Sequence, residues 1–439
     1  MNNLNKIAGA GLCAALLAAC GEAGNTVFPA TKTLLAPLTT TSAESVLYRF
    51  KGYTRRDGQD PEAGLTALNG EFYGTTAQGG GAKGCKDPDT CGTVYRVSPS
   101  GREQVLYRFK GMQDGSYPSS SLLALDGTLY GTTLRGGENN AGAVFAINPS
   151  TGAENVIYSF KGQHAGDGDY PQAGLIAING VLYGTTVNGG SAKCKGYVRG
   201  CGIVFSVTTS GTEQVLHLFN GDGEDRKGEG RFPYAGLTAM NGLLYGTTSG
   251  GGRHSQSCFG GCGTVFEMSP SGSQYRVLYR FKGGKDGVGP NASLVSVNGR
   301  LYGTTNGGGG SVCNVSGFGC GTVFEMSESG NERILHRFTH GSDGAGPDSL
   351  VAAGATLYGT TIAGGAPGCQ GYGCGSVFEL NTSGRDYAVL HGFLGSPDGV
   401  APSGPLLDVN GLLYGTTASG GKKGQCFYGC FGTVFELTP

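Results

Sequence analysis

The tetrapeptide Tyr-Gly-Thr-Thr occurs seven times, beginning at Tyr73, Tyr130, Tyr183, Tyr245, Tyr302, Tyr358 and Tyr414. The separations are 57, 53, 62, 57, 56 and 56 residues. A fixed period of this size is the signature of a repeat architecture, in which each unit is one supersecondary motif. Glycine supplies 86 of 439 residues without a Gly-X-Y period, which excludes collagen. The glycines cluster at turns and beside aromatic residues, as many short strands with tight reversals require.

Each unit carries four apolar pieces. The first is a run such as Ser121–Leu125 (SLLAL), ending in an Asx-Gly pair such as Asp126-Gly127. That pair favours a two-residue type I′ hairpin. The second piece is LYGTT, followed by a Gly-rich loop of variable length. The third is GTVFEM or a relative, as at Gly263–Met268, and a Pro-Ser-Gly-type turn leads to the fourth, VLYRF, as at Val105–Phe109. Val, Ile, Thr, Tyr and Phe dominate, prolines lie between the runs, and helical periodicity is absent. Four antiparallel strands per 57 residues make one blade of a β-propeller.

The ends decide between a ring and a stack. The array opens with a lone fourth strand, Val46–Phe50, and finishes with a third, Gly432–Leu437. Seven complete sets exist only if the first piece joins the last unit, closing an all-β, seven-bladed propeller without a free edge. LYGTT is then the second strand of every blade. Its tyrosine is expected to pack between blades, and its glycine to let neighbouring backbones approach where blades converge.

The array over residues 45–439 resembles the GloVer tandem-repeat proteins, bacterial extracellular repeat proteins with a choice of anchor. The seven Leu/Phe-Tyr-Gly-Thr-Thr strands and the Gly-Thr-Val-Phe strands carry the resemblance. It implies no established activity and no catalytic residue. Blade two departs by its short loop, and blade four by the insertion GDGEDRKGEGRF.

Residues 1–19 read as an export signal: a polar start with Lys6, then an apolar run too short to span a membrane. Leu17-Ala18-Ala19-Cys20 resembles a bacterial lipobox, which makes Cys20 the expected lipidation site; a plain secretory signal is the alternative. Either one exports the chain. Residues 20–44 read as the lipidated cysteine and a Thr/Ala/Pro-rich tether. The expected location is the cell envelope, with the outer membrane favoured because no Asp-type retention signal follows Cys20. The lipid anchor is then the only membrane contact.

Twelve further cysteines fall in the loops between second and third strands, paired by position: Cys85 with Cys91, Cys194 with Cys201, Cys258 with Cys262, Cys313 with Cys320, Cys369 with Cys374, and Cys426 with Cys430. Blade two has neither cysteine. Zinc usually takes four ligands at narrow spacing, whereas these spacings vary and His254 is the only histidine in the loops. In an exported chain the expectation is six local disulfides, each contributing at most about 2–2.5 kcal/mol.

In a meandering blade the cysteine loops share one face with the connections between blades. Asp-Gly recurs in those seven connections, at Asp57, Asp114, Asp167, Asp286, Asp343 and Asp398, with Asp222-Gly223 inside the blade-four insertion. All variation in length falls on this face, so it is the candidate binding face. The aspartates also fit turn residues that bond their own backbone. As a ring they could attract Ca²⁺, although no loop has dedicated calcium-site spacing and no cofactor is otherwise implied. Asp222, Glu224, Asp225 and Glu229 are the densest acidic group.

Catalysis finds thin support. His217, His336 and His391 occupy the tyrosine slot of fourth strands and read as packing substitutes, while His164, His254 and His340 lie in separate loops. Glu267, Glu325, Glu379 and Glu436 recur at one strand position and read as a solvated row. No nucleophile elbow, HExxH or P-loop is present, and there is no tryptophan. Net charge is −1 with no basic patch, which argues against nucleic acid. The expected protein is a monomeric binding or scaffold module for a glycan, peptide or protein, with an exported propeller hydrolase or lyase acting on carbohydrate or lactone as the alternative.

Overall fold

The computed structural model describes residues 43–52, 55–85, 91–190, 194, 199–221, 228–256, 258, 260–310, 313, 319–421 and 431–439. These residues form seven four-stranded antiparallel sheets. Blade one comprises Thr66–Leu68, Glu71–Thr76, Thr93–Val97 and Glu103–Arg108, each paired with the next in sequence. Blades two to six repeat that order. In blade seven Val400–Val409, Leu412–Ser419 and Thr433–Thr438 are completed by Ala43–Arg49. The two chain ends pair antiparallel, Ala43 opposite Thr438 and Arg49 opposite Thr433. The ring closes as the strand count requires.

The predicted hairpins form as their chemistry dictates. At Asn69-Gly70, Asn179-Gly180 and Asn241-Gly242 both residues have positive φ, between 50° and 79°. That is the type I′ signature.

The repeated Tyr-Gly-Thr-Thr has a separate task for each residue. The tyrosine packs against the following blade: Tyr73 shares a core with Leu129 and Phe145, and Tyr302 with Leu357 and Phe378. The glycine faces the aromatic residue of the third strand, Gly184 opposite Phe205. A Cβ at Gly184 would lie 2.7 Å from Phe205 Cζ and 2.9 Å from Leu175 Cδ2. The expected close approach of neighbouring backbones is therefore corrected. The glycine makes room for a ring of its own blade.

The first threonine hydroxyl donates across the blade boundary, Thr75 to Ser120 O at 3.0 Å and Thr185 to Ala235 O at 2.9 Å. The second pairs with the start of the third strand, as Thr76 with Thr93 and Thr305 with Thr322, both at 2.8 Å. Buried hydroxyls are thereby satisfied inside the sheet stack. The last blade joins the first in the same way, through Thr416 Oγ1 to Ala63 O at 2.9 Å.

Half of the glutamate row departs from the solvated expectation, while Glu379 and Glu436 remain partly exposed. Glu267 and Glu325 are buried, and Glu267 accepts from Arg276 at 2.6 and 2.9 Å. Glu325 is held between Arg300 and Arg333. The partners come from neighbouring strands of the same sheet, so these two acids are drawn inward by their arginines.

Candidate functional site

The inter-blade connections and the cysteine loops form one layer. Gly58–Gln59 pairs with Gln78–Gly79, Gly168–Asp169 with Asn188–Gly189, and Ser116 with Arg135. Each connection thus binds the loop of the blade it enters. Five disulfides staple this layer: Cys85–Cys91, Cys194–Cys201, Cys258–Cys262, Cys313–Cys320 and Cys369–Cys374. They mark an extracytoplasmic protein. Cys426 and Cys430 lie outside the described residues, as do Cys20, the signal and most of the tether. Among the described residues no helix is long and apolar enough to cross a membrane.

The six predicted aspartates lie at the blade junctions, where internal hydrogen bonds engage them. Asp167 accepts from the Tyr158 hydroxyl at 2.8 Å and from the backbone N–H groups of Lys161 and Gly168 at 2.8 and 2.6 Å. Asp57 has the equivalent three donors in Tyr48, Lys51 and Gly58. Asp114 and Asp286 each accept from a fourth-strand tyrosine and a backbone N–H. Asp343 accepts from Thr339 N and sits 3.0 Å from His336 Nε2, and Asp398 accepts from Leu394 N.

The seventh position is filled by Glu229, which the sequence pattern concealed. It accepts from Asn220 N at 2.9 Å and faces His217 Nε2 at 3.3 Å. Asp222, Glu224 and Asp225 lie outside the described residues. Burial alone would raise Glu229 and Asp343, but the hydrogen bond and charge of His217 and His336, together with donors from Asn220 and Thr339, outweigh it and hold both below the usual carboxylate range.

A second acid stands beside four of these sites. Burial, reinforced by the aspartate opposite, pushes Glu103, Glu154, Glu213 and Glu332 up to about 7. The Tyr279 hydroxyl lies 3.1 Å from Asp286 Oδ2 and 3.3 Å from Glu332 Oε2. The phenol is the donor, within reach of both carboxyl groups.

Nearer the ring axis the repeats diverge. Each connection enters its blade through a proline: Pro61, Pro118, Pro171, Pro233, Pro290, Pro347 or Pro402. The residues before the first four are Asp60, Tyr117, Tyr170 and Phe232, all with φ between 55° and 62°. This left-handed turn sets their side chains apart from the strand that follows. Arg135 lies over both Tyr117 and Tyr170, at 5.6 and 5.5 Å from the ring centroids. Arg199 lies 5.0 Å over Tyr170 and 3.9 Å from Asp169, and Arg231 lies 5.5 Å over Phe232. Blades two to four thus present an aromatic and guanidinium arc.

Acids occupy another sector. Asp348 of blade six accepts from Gly404 N at 2.8 Å and acts electrostatically on Glu62 of blade one. Blade seven separates them in the ring, so both carboxyls reach toward the axis. Burial first, then Asp60 and Asp348, pushes Glu62 up to about 7. Burial also pushes Asp169 up to about 6 against the pull of Arg199 and Arg135. Groups titrating near neutrality can exchange protons with a ligand. The signal for this arc was available in the sequence: the residues flanking the seven prolines are where otherwise identical units differ.

Comparison with known proteins agrees with this organisation. The model of the Gloeobacter/Verrucomicrobia repeat matches residues 33–198, 193–312 and 310–439. The chain belongs to that family. No curated protein matches it in sequence. Among solved structures similar to this family member, an oligogalacturonate lyase in complex with manganese has a TM-score of 0.50 at 11% identity, covering 91% of this chain and 94% of that one. The computationally designed Ika8 protein has 0.44 at 12%, covering 90% and 99%. A chain of the nidogen/laminin complex has 0.42 at 12%, covering 71% and 93%. At these identities the likeness is one of fold alone.

Proposed function

We propose that this repeat protein is an exported, lipid-anchored recognition module of the cell envelope. Its ligand is an acidic glycan seated on the arc of Tyr117, Arg135, Tyr170, Arg199 and Phe232. The observation that carries this reading is the set of guanidinium groups held over aromatic rings at the entry prolines, on the face where the units differ. Rings offer flat apolar surface to sugar faces, and arginine matches carboxylates in a planar fork. The disulfides stiffen the surrounding loops, so that little ordering is left for binding.

An array of acidic and neutral glycans beside acidic peptides tests it. Acidic glycans should bind, and Tyr170→Ala and Arg135→Ala should each weaken binding about tenfold or more. Binding of peptides alone, or binding indifferent to both variants, overturns the reading. Anchoring is tested separately: Cys20→Ala should move the protein from the membrane to the soluble exported fraction and remove the lipid from its N-terminal peptide.

A second reading, an exported hydrolase or lyase, is favoured by Glu62 and Asp169, which titrate near neutrality on the same face. The oligogalacturonate lyase of similar fold fits that alternative. Turnover on a polysaccharide panel, lost in Glu62→Gln with glycan binding intact, would favour it over pure recognition.

A further inference from the structure

Six of the seven blade junctions follow a pairing rule, and the seventh, where the N-terminal strand meets blade six, breaks it. The residue four places before each fourth-strand slot faces the slot of the preceding blade. Tyr48, Tyr107, Tyr158 and Tyr279 face Glu103, Glu154, Glu213 and Glu332. His217 and His336 face Tyr275 and Tyr387, stacked ring on ring at 3.7 and 3.8 Å. Tyrosine meets glutamate, or histidine meets tyrosine. Either match places a phenol at the junction, which donates to the carboxylate or the backbone carbonyl of the junction acid.

At the seam neither match is made. His391, on the blade-six strand Ala388–Gly392, faces Glu44 on the N-terminal strand, and Asp398 of the connection is the third member. One ligand atom from each of the three lies within 4.8 Å of the others. His391 Nε2 is 3.4 Å from Asp398 Oδ2; Nε2 and Glu44 Oε1 lack a hydrogen-bond partner, as do His217 Nε2 and the Oε1 atoms of Glu103, Glu154, Glu213 and Glu332 at the matched junctions. No phenol bridges the acids, and with a neutral imidazole the cluster carries two negative charges. The nearby cation is Arg49, whose Nε donates to Pro397 O at 3.1 Å.

We propose that Glu44, His391 and Asp398 bind a divalent cation of the zinc or manganese type, which clasps the N-terminal strand to blade six. Two ligands bound tetrahedrally at ~2.1 Å lie about 3.4 Å apart, the spacing of His391 Nε2 and Asp398 Oδ2. One imidazole with two carboxylates suits these ions better than calcium, which takes six to eight oxygens. Three protein ligands leave the remaining positions to solvent. The location gives the site its use, because this is the one junction whose outer strand comes from the opposite end of the chain.

The test uses the full chain, stripped with EDTA and titrated with Zn²⁺, Mn²⁺ and Ca²⁺ by calorimetry, with metal content measured by mass spectrometry. One equivalent of Zn²⁺ or Mn²⁺ should bind and raise the Tm by about 3 °C or more. His391→Tyr recreates the tyrosine–glutamate match of four other junctions, and Glu44→Tyr recreates the histidine–tyrosine match. Both should fold, bind no metal at this site and lose the metal-dependent shift. Absence of stoichiometric binding, preference for Ca²⁺, or binding retained in both variants overturns the proposal.

Discussion

Gly184 shows how a repeated residue can be fixed by one atom. Its missing side chain is the space into which Phe205 packs, 2.7 Å from where a Cβ would stand. Phe205 is fully buried, so the ring cannot yield without repacking two blades. Gly184→Ala should therefore destabilise the protein by about 1–3 kcal/mol in urea unfolding. The double variant Gly184→Ala with Phe205→Leu should recover part of that loss, since the smaller side chain vacates the contested volume. No recovery would mean that the backbone, rather than the ring, sets the requirement. Asp167 poses a comparable question with polar atoms. Removing its carboxylate in Asp167→Ala strands the Tyr158 hydroxyl and the Lys161 and Gly168 amides, for about 2–3 kcal/mol. Asp167→Asn should cost less, because it keeps an acceptor oxygen.

At the scale of the element, four junctions share a proton-dependent design. Glu103, Glu154, Glu213 and Glu332 have folded-state values raised from 4.5 to about 7. Below pH 4.5 they are protonated in both folded and unfolded chains, and their burial costs nothing extra. As pH rises toward 7 the unfolded chain loses these protons while the folded one retains them, so stability falls across that window. Screening at these half-exposed sites leaves a combined effect of about 2 kcal/mol. Urea midpoints at pH 4.5 and 7.5 should differ more in the wild type than in a variant carrying glutamine at all four positions; an equal difference defeats the idea. These junctions also mark the limit of sequence reading. Strand types, hairpin turns and cysteine pairs were legible because each is local and repeats with its neighbours. The partners of Glu325 and the seventh acid, Glu229, were not. Their contacts cross strands or follow an insertion, and the sequence lists such residues far apart. The axial arc was obscured for the opposite reason. Attention to what repeats averages away Tyr117, Tyr170 and Phe232, which hold the same place in their units without matching their counterparts elsewhere.

Over the whole molecule, stability depends on treating two distant ends as one hairpin. Thr433–Thr438 would be an open edge without Ala43–Arg49, and an exposed strand edge is a template for association with other chains. Ala43 lies directly opposite Thr438, so the ends are near enough for a short turn to join them. A circular permutant with a two- to four-residue Asn-Gly linker between Pro439 and Ala43, opened in the exposed turn at Pro270–Gly272, converts the seam into an ordinary covalent hairpin. It moves the break to a turn that carries no inter-blade contact of the Thr-to-carbonyl kind. Its unfolding free energy should fall within about 2 kcal/mol of the parent, as judged by urea titration, and it should remain monomeric in size-exclusion chromatography. Deleting the chain through Arg49 should do the reverse, exposing the edge and producing oligomers or aggregates. If the truncated chain stayed monomeric and equally stable, closure by the N-terminal strand would not be what holds the ring.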